Sequence, residues 1–356
     1  MKPDVYVGLS GGVDSSLAAY LLKQAGYRVH GVLLDLWRET ASCEYDPDCP
    51  AHAAARVAEE LGIEFTILDW RERFRREIVD EFSAAYARGQ TPNPCVSCNP
   101  RIKFRALLEL AGASGLAASG HYLRRREGPR GPEMHRGEAG KDQTYFLWQL
   151  QRGDLARLLF PLGELTKSEV RRRAAALGLA SAHRAESQNV CFITGSLREF
   201  LAERLPAEPG PLIDLESGAV IGEHAGAAFY TVGQRKGLGL WKSHLERYVV
   251  EVRPQSNEVV VGPRRALEHG GLEAAGLNLL AEADEIRGEV EAVVRYRSRP
   301  VAARIEELDV SGGRLRLRFA QPRFAVTPGQ SVALYHESRL LGGAVITRAL
   351  TEGWGQ

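Results

Sequence analysis

No run of residues in this chain is long and apolar enough to form a helix that crosses a bilayer, which excludes a helical membrane span and any function built on one. Charge of one sign is also lacking. With 46 Lys and Arg against 45 Asp and Glu, the formal net charge is +1, so a nucleic acid would have to be met by a local patch and not by the overall field. Cysteine is sparse: five in 356 residues, an odd number, points away from a disulfide scaffold and towards chemistry or metal binding. Internal repeats and low-complexity tails are absent, which removes solenoids and fibrous arrays. Met1-Lys2-Pro3 leads straight into an apolar run, so the expectation is a cytoplasmic chain without a leader. What remains is a composition ordinary for soluble globular proteins, on a chain long enough for two or three domains with real cores.

One stretch organises the rest: Ser10-Gly11-Gly12-Val13-Asp14-Ser15-Ser16. Val5 to Leu9 before it reads as a buried strand, and Leu17 to Leu22 after it as the first turns of a helix. The glycines therefore fall at a strand-to-helix turn, where Gly11 and Gly12 can bring bare N–H groups up to a ligand. The serines are expected to cap the helix, whose N-terminus adds partial positive charge. The combination suits a pyrophosphate. It lacks the lysine of the G-x-x-x-x-G-K-[ST] loop and does not match G-x-G-x-x-G. Asp14 beside phosphates is repulsive unless a cation lies between, which argues for Mg²⁺. The plainer alternative is a tight turn before a capped helix. The string resembles the signature of the PP-loop ATP pyrophosphatases, which by that resemblance cleave ATP between the α- and β-phosphates and adenylate an oxygen of their substrate.

The first half of the chain alternates strands (5–9, 28–35, 64–69, and a small-residue strand ending in Gly120-His121) with helices at 14–25, 51–62 and 71–90, the pattern of parallel βαβ units. Cys43, Cys49 and His52 fall in a polar loop, read as plain solvent loop or, less simply, as a metal site. Thr91 to Pro100 carries three prolines and is expected to be a rigid extended loop presenting Cys95 and Cys98, with the cations of Arg101, Lys103 and Arg105 lowering a thiol pKa. Residues 123–140 read as a mobile insertion, Lys141 and Gln143 as phosphate or ribose contacts, and Cys191 as lying in a short apolar strand. From about 198 short strands and turns take over, and five strands after Gly270-Gly271 suggest a small closed barrel. Arg295-Tyr296-Arg297 suits stacking on RNA, or else a solvated strand edge. The fold class expected is α/β: a parallel-sheet PP-loop catalytic domain over 1–197, a small mostly-β central domain over 198–275 and a C-terminal β-barrel over 276–356.

Taken together, S-G-G-V-D-S-S at 10–16, T-P-N-P-C-V-S-C-N at 91–99, G-H-Y at 120–122, K-D-Q-T-Y-F-L at 141–147, C-F-I at 191–193, G-Q-R-K-G-L-G at 233–239 and T-P-G-Q at 327–330 closely resemble the bacterial tRNA-specific 2-thiouridylases. The resemblance implies an ATP- and Mg²⁺-dependent enzyme that replaces the C2 oxygen of a wobble uridine with sulfur, in tRNAs accepting Lys, Glu and Gln. It implies sulfur handed over by a cysteine desulfurase or a sulfur-carrier relay. By position, Gly8, Leu9, Ser10, Gly11, Gly12, Val13, Asp14 and Ser15 form the ATP loop, with Leu34 against the adenine and Gly120 a further contact. Asn93, Pro94 and Cys95 line the flipped base, and His121, Lys141, Asp142, Gln143, Arg295, Tyr296 and Gln330 contact tRNA. Cys191 takes the persulfide and Cys98 is the nucleophile, their sulfurs meeting once RNA is bound. Base extrusion is required physically, since C2 must reach both ATP and thiols.

One position departs from the pattern: many relatives carry Asp where this chain has Cys95. Three thiols, Cys95, Cys98 and Cys191, leave open an iron–sulfur cluster in place of the persulfide route. Two other classes also stay open at this stage. An amidotransferase-type or lysidine-forming PP-loop synthetase needs no paired thiols, and a nucleotide- or RNA-binding module would release no AMP.

Overall fold

The computed structural model describes residues 2–37, 49–138, 140–184, 190–240 and 246–351. The chain divides into two compact units. The first comprises 1–78, 95–192 and 337–341, and the second 79–94, 193–336 and 342–356.

The first unit is built on a five-stranded parallel sheet: β1 (Asp4–Gly8), β2 (Arg28–Asp35), β3 (Glu64–Asp69), β4 (Leu116–Ala118) and β7 (Leu158–Leu159), in the order β3-β2-β1-β4-β7. The order follows from the sequence pattern. Val5 and Val7 of β1 are fully buried, and its register places Val5 beside both Val29 and Leu116, so an apolar strand is covered on both sides. Helices α1 (Val13–Gln24) and α2 (Pro50–Leu61), then α3 (Arg105–Ala111) and α4 (Lys167–Ala176), complete the βα alternation. Leu17, Ala18, Val57, Leu61 and Val170 close one continuous core over Val5 and Val7. Each such aliphatic side chain contributes about 1.5–3 kcal/mol of transfer free energy before its ordering cost. The chain runs from β1 outward to β3 and then crosses to β4 on the other flank of β1. That reversal leaves a crevice outside the carboxyl ends of β1 and β4, where open α/β sheets bind ligands.

Three local expectations need correction. Residues 123–136 form a β-hairpin, β5 (Leu123–Gly128) with β6 (Gly131–Arg136), not a mobile insertion. Leu123 and Met134 are buried, and Arg124 pairs with Glu138 and Glu164 at 2.8 Å each. The Gly-Pro-Arg-Gly at its tip marks a tight turn, the same composition that reads as disorder when its flanks are charged. Pro94–Cys98 is a helical turn running through a wider π turn (Asn99–Phe104) into α3. Pro94 sits at the helix start, where its missing N–H costs nothing, and the π turn absorbs the one missing at Pro100. Cys191 lies in a turn after Val190, not in a strand.

The second unit holds two all-β parts. One is a four-stranded sheet of β8 (Gly210–Asp214), β9 (Val220–His224), β10 (Tyr248–Arg253) and β11 (Glu258–Gly262), ordered β10-β11-β8-β9. The other is a closed barrel of β12 (Glu268–Leu279), β13 (Glu289–Val293), β14 (Val301–Asp309), β15 (Arg314–Phe324), β16 (Ser331–His336) and β17 (Arg339–Leu350). It has one strand more than the five expected. The Gly270-Gly271 pair, read as a boundary, lies inside β12, whose pairing with β17 from Gly271↔Leu350 to Leu279↔Gly342 closes the barrel. Gly271 is needed there, because a Cβ would meet the Leu317 carbonyl of β15.

Candidate active site

The turn after β1 is held from within. Ser15 Oγ and Ser16 Oγ both donate to the Gly12 carbonyl, at 3.0 and 2.9 Å, and the Ser10 N–H donates to Ser15 Oγ at 3.2 Å. Gly12 is the N-cap of α1 and makes no side-chain cap bond, contrary to the expectation that serines cap this helix. A capping hydroxyl would occupy first-turn N–H groups, and here those groups are left to a ligand. Gly11 has φ +72°, and a Cβ on it would lie 2.6 Å from that of Ala53. Gly120 approaches from the end of β4 so closely that a Cβ would sit 2.8 Å from the Asp14 carbonyl carbon. Leu9 and Val13 point into the core, so anything they give a nucleotide comes from backbone.

Two clefts open on this turn. The larger, about 590 Å³, runs from Ser10, Gly12, Asp14 and Ser15 past Leu34 and Asp35 to Lys141, Gln143, Lys167, Arg184 and Cys191. The smaller, about 280 Å³, is bounded by Gly8, Ser10, Asp14, Leu34, Lys103, Gly120, His121 and Gln143. Asp14 Oδ1 accepts from Tyr122 Oη and from Lys167 Nζ, each at 2.6 Å. Lys167 went unnoticed in sequence because it lies 153 residues from Asp14. Its one local signal is the Thr166/Glu169 capping box, which fixes the start of α4.

The described cysteines outside any disulfide are Cys95, Cys98 and Cys191, whereas Cys49 is buried and disulfide-bonded, and so is neither a ligand nor part of a solvent loop. Cys43 lies outside the described residues. Burial pushes the Cys98 thiol up to about 12, opposed by Lys103 and reinforced by Cys191 and Cys95. The expected lowering by basic neighbours fails because two of the three cations are engaged elsewhere. Arg105 pairs with Glu109 at 2.6 Å and Arg101 with Glu77 at 3.7 Å. Only Lys103 faces the sulfur, and one cation does not offset burial. Cys191 is exposed as a residue, yet its thiol lies deep enough in the cleft wall for burial to raise it too, again opposed by Lys103. Burial pulls the Lys103 ammonium down, but the sulfurs of Cys98, Cys95 and Cys191 more than offset this and leave it raised. Cys98 lies within electrostatic range of both Cys191 and Cys95. Among the described residues no three Cys, His, Asp or Glu side chains converge to hold a metal ion, so the three thiols do not present a cluster site in this arrangement.

Other sequence-predicted residues divide into those at the cleft and those holding it. His121, half-buried, is pushed down to about 3 by burial and by Lys103, and is neutral, with Ser119 Oγ 2.8 Å from Nδ1. Asp142 is committed to its own loop, Oδ1 accepting from the N–H groups of Gly137 and Thr144. Gln143 Oε1 accepts from the Tyr122 N–H at 3.0 Å, which fixes the tyrosine that bonds Asp14. Gln330, in the second unit, is buried and donates to the Thr91 carbonyl at 2.6 Å, while the Thr91 N–H bonds the Pro328 carbonyl. It grips the segment leading to Asn93 and Pro94 and presents no free amide at the surface. Arg295 is exposed and Tyr296 half-buried in a turn after β13, with the Arg297 guanidinium 5.3 Å from the Tyr296 ring.

A glycine turn at the switch point of a parallel sheet, opening on a cleft that holds lysines and a thiol, defines an α/β protein of the ATP-using PP-loop class. Family profiles match over most of the length: a tRNA methyl transferase HUP domain at 3–195, a tRNA methyl transferase PRC-barrel domain at 198–263 and an aminomethyltransferase beta-barrel domain at 270–346. The chain is 54% identical to a tRNA-specific 2-thiouridylase of Thermus thermophilus (97% of this chain, 95% of that protein). It is 47% identical to one of Deinococcus radiodurans (96% and 92%) and 43% to one of Carboxydothermus hydrogenoformans (98% and 99%). The chain belongs to the tRNA-specific 2-thiouridylase family.

Proposed function

We propose that this protein is an ATP-dependent tRNA-uridine 2-sulfurtransferase acting on the wobble uridine through a cysteine persulfide. The observation that carries the reading is that Cys191 lines the same cleft as Ser10, Asp14 and Ser15, so a thiol and a nucleotide turn share one space. A carbonyl oxygen leaves poorly and AMP leaves well, so the C2 oxygen is first joined to the α-phosphorus of ATP. The first-turn N–H groups of α1 hold the phosphates, Asp14 meets them only through a cation, and Leu34 and Gly120 flank the base and ribose. Asp14 also fits Mg²⁺, which commonly binds through one carboxylate plus phosphate oxygens and supplies charge neutralisation at the phosphates.

Sulfur arrives as a persulfide on Cys191 from a desulfurase or carrier relay. Either Cys98 attacks the persulfide, freeing sulfide and leaving a Cys98–Cys191 disulfide, or the terminal sulfur attacks C2 and Cys98 resolves the product. Both routes require Cys98 to lose a proton it holds tightly at neutral pH, and Lys103 is the cation placed to stabilise the anion. Neutral His121 and Cys95 sit at the base pocket, with Asn93 and Pro94 as further base contacts. Lys141, Arg295 and Tyr296 are proposed RNA contacts, while Asp142, Gln143 and Gln330 hold the loops that present them. Acceptors for Lys, Glu and Gln are the proposed tRNAs, and the cytoplasm the proposed location.

Methyl transfer, the activity named in two profile descriptions, would need neither thiol. Purified protein incubated with ATP, Mg²⁺, unmodified tRNA and a persulfide source (a cysteine desulfurase with L-cysteine) is expected to yield thiolated tRNA that is retarded on a mercury-containing gel. Cys191→Ser and Cys98→Ser should each abolish the shift. Thiolation that survives both substitutions, or methylation without thiolation, overturns the reading.

A further inference from the structure

Either route of sulfur transfer ends with Cys98 joined to Cys191, and that product blocks the next round. Cys191 is the persulfide acceptor and lines the cleft, so it is unavailable while the bond lasts. Cys98 is 5% exposed, so a reductant in solution does not reach its sulfur. The chain places a third thiol beside it. Cys95 and Cys98 stand one turn apart on the helical segment Pro94–Cys98. Residues so related have Cβ atoms about 5–6 Å apart, a spacing that a disulfide spans with a small adjustment of the turn. The segment is anchored: Val96 and Ile102 are buried, and Asn99 Nδ2 donates to the Phe146 carbonyl at 3.1 Å. Access differs along it, Cys95 being half-buried and Cys98 buried. Lys103, further on in the π turn, interacts with the sulfurs of Cys98, Cys95 and Cys191 alike, so the three thiols gather around one ammonium.

We propose that Cys95 is the resolving thiol of this site: it attacks Cys98 in the spent Cys98–Cys191 disulfide, moves the bond onto the Cys95–Cys98 pair and returns Cys191 to the cleft as a thiol. The inference rests on the sulfur-transfer reading above and extends it. In the exchange the Cys95 thiol gives its proton to solvent and its sulfur forms a bond to Cys98 Sγ. The Cys98–Cys191 bond breaks, and its electron pair leaves on Cys191, which takes up a proton. One disulfide is lost and one is formed, so the step needs neither oxidant nor reductant. Negative charge passes from Cys95 through Cys98 to Cys191 and stays within reach of Lys103 throughout. Two sulfurs held on one rigid turn meet more readily than two on separate segments, which favours the Cys95–Cys98 bond. Loading of the next persulfide on Cys191 draws the exchange forward. A dithiol reductant then reopens Cys95–Cys98 from the half-buried Cys95 side, itself becoming a disulfide.

The test follows where the disulfide goes. Full-length protein is loaded with persulfide from a cysteine desulfurase, freed of L-cysteine and other thiols, and given ATP, Mg²⁺ and unmodified tRNA without oxygen. After acid quenching and alkylation, 2-thiouridine is counted and disulfide-linked peptides are assigned by mass spectrometry, for wild type and Cys95→Ser. For each 2-thiouridine formed, wild type is expected to carry a Cys95–Cys98 link with Cys191 alkylated. Cys95→Ser should stop at Cys98–Cys191, raising that link roughly tenfold over wild type. A second charge of persulfidated desulfurase, still without reductant, should reload Cys191 in wild type and not in the variant. A Cys98–Cys191 link held by wild type as fully as by Cys95→Ser overturns the assignment, and so does iron held by the three thiols in anaerobically purified protein. If Cys95→Ser makes no 2-thiouridine, the wild-type peptide map decides alone. Absence of 2-thiouridine from the wild type would sink the sulfurtransferase reading itself, whereas 2-thiouridine formed with Cys98 and Cys191 left joined sinks only the role of Cys95.

Discussion

Cys98 and His121 show at the scale of single residues how burial sets chemistry in this site. With its pKa near 12, Cys98 is protonated at neutral pH, and its alkylation by iodoacetamide should climb about tenfold per pH unit from 7 to 10 with no plateau. Lys103 holds that thiol lower than burial alone would. Lys103→Met is therefore expected to slow Cys98 alkylation further at every pH, and a faster reaction in the variant would refute the electrostatic role. His121 has the opposite sense. Its folded pKa of about 3 lies below the ordinary His value near 6.5, so the unfolded chain binds the extra proton first. His121 thus subtracts stability as pH falls from about 6.5 towards 3 and contributes nothing to the pH dependence above that window. His121→Asn should flatten the acid side of the stability–pH curve, measured by urea unfolding between pH 4 and 7. An unchanged slope would mean the ring is solvated. The cysteine spacing and the Gly-His pair were readable in sequence. The direction of the Cys98 shift was not, because burial of the thiol sets it and Arg101 and Arg105, which could have opposed it, pair with Glu77 and Glu109.

Elements carry the next level of argument. Turn 10–16 works because a strand end, a helix start and Gly120 of a third segment approach to backbone contact. Gly120→Ala places a methyl 2.8 Å from the Asp14 carbonyl carbon and should cost about 1–3 kcal/mol of stability, with ATP affinity falling alongside. Thermal unfolding with and without ATP separates the two effects, and an unperturbed variant would show that the approach is not required. Strand-to-helix alternation and the glycine turn were legible because β1, β2 and β3 are apolar runs in sequence and the helices between them stop at Gly26 and Gly62. The hairpin at 123–136 was not, since Arg-rich strands with buried Leu123 and Met134 show little alternation outside their tertiary setting. Nor was the helical turn at Pro94–Cys98, where a π turn accommodates a proline that local rules would place in a loop. Strand β12 escaped because Gly270-Gly271 signals a boundary in sequence, whereas in the barrel the second glycine admits a neighbouring carbonyl.

On the scale of the whole molecule the small net charge is informative, because RNA affinity must then come from a limited set of cations. Arg295 and Arg297 beside Tyr296 are the barrel's candidate set. Replacing both with Ala should weaken tRNA binding and reduce the slope of log affinity against log salt by about 0.7–0.9 for each phosphate no longer neutralised. A slope equal to wild type would place the RNA-binding cations elsewhere. The motifs scattered over the chain were legible one at a time in sequence. Their convergence was not, since Lys167 meets Asp14 across 153 residues and Gln330 meets Thr91 across 239. The central claim is that sulfur passes from Cys191 to a uridine activated by ATP in the same cleft. It is tested most directly by loading the protein with ³⁵S persulfide, locating the label by mass spectrometry, and chasing with unmodified tRNA in the presence or absence of ATP. The account predicts label on Cys191 that moves into 2-thiouridine only when ATP is present. Transfer without ATP, or thiolated tRNA that draws no label from Cys191, would contradict it.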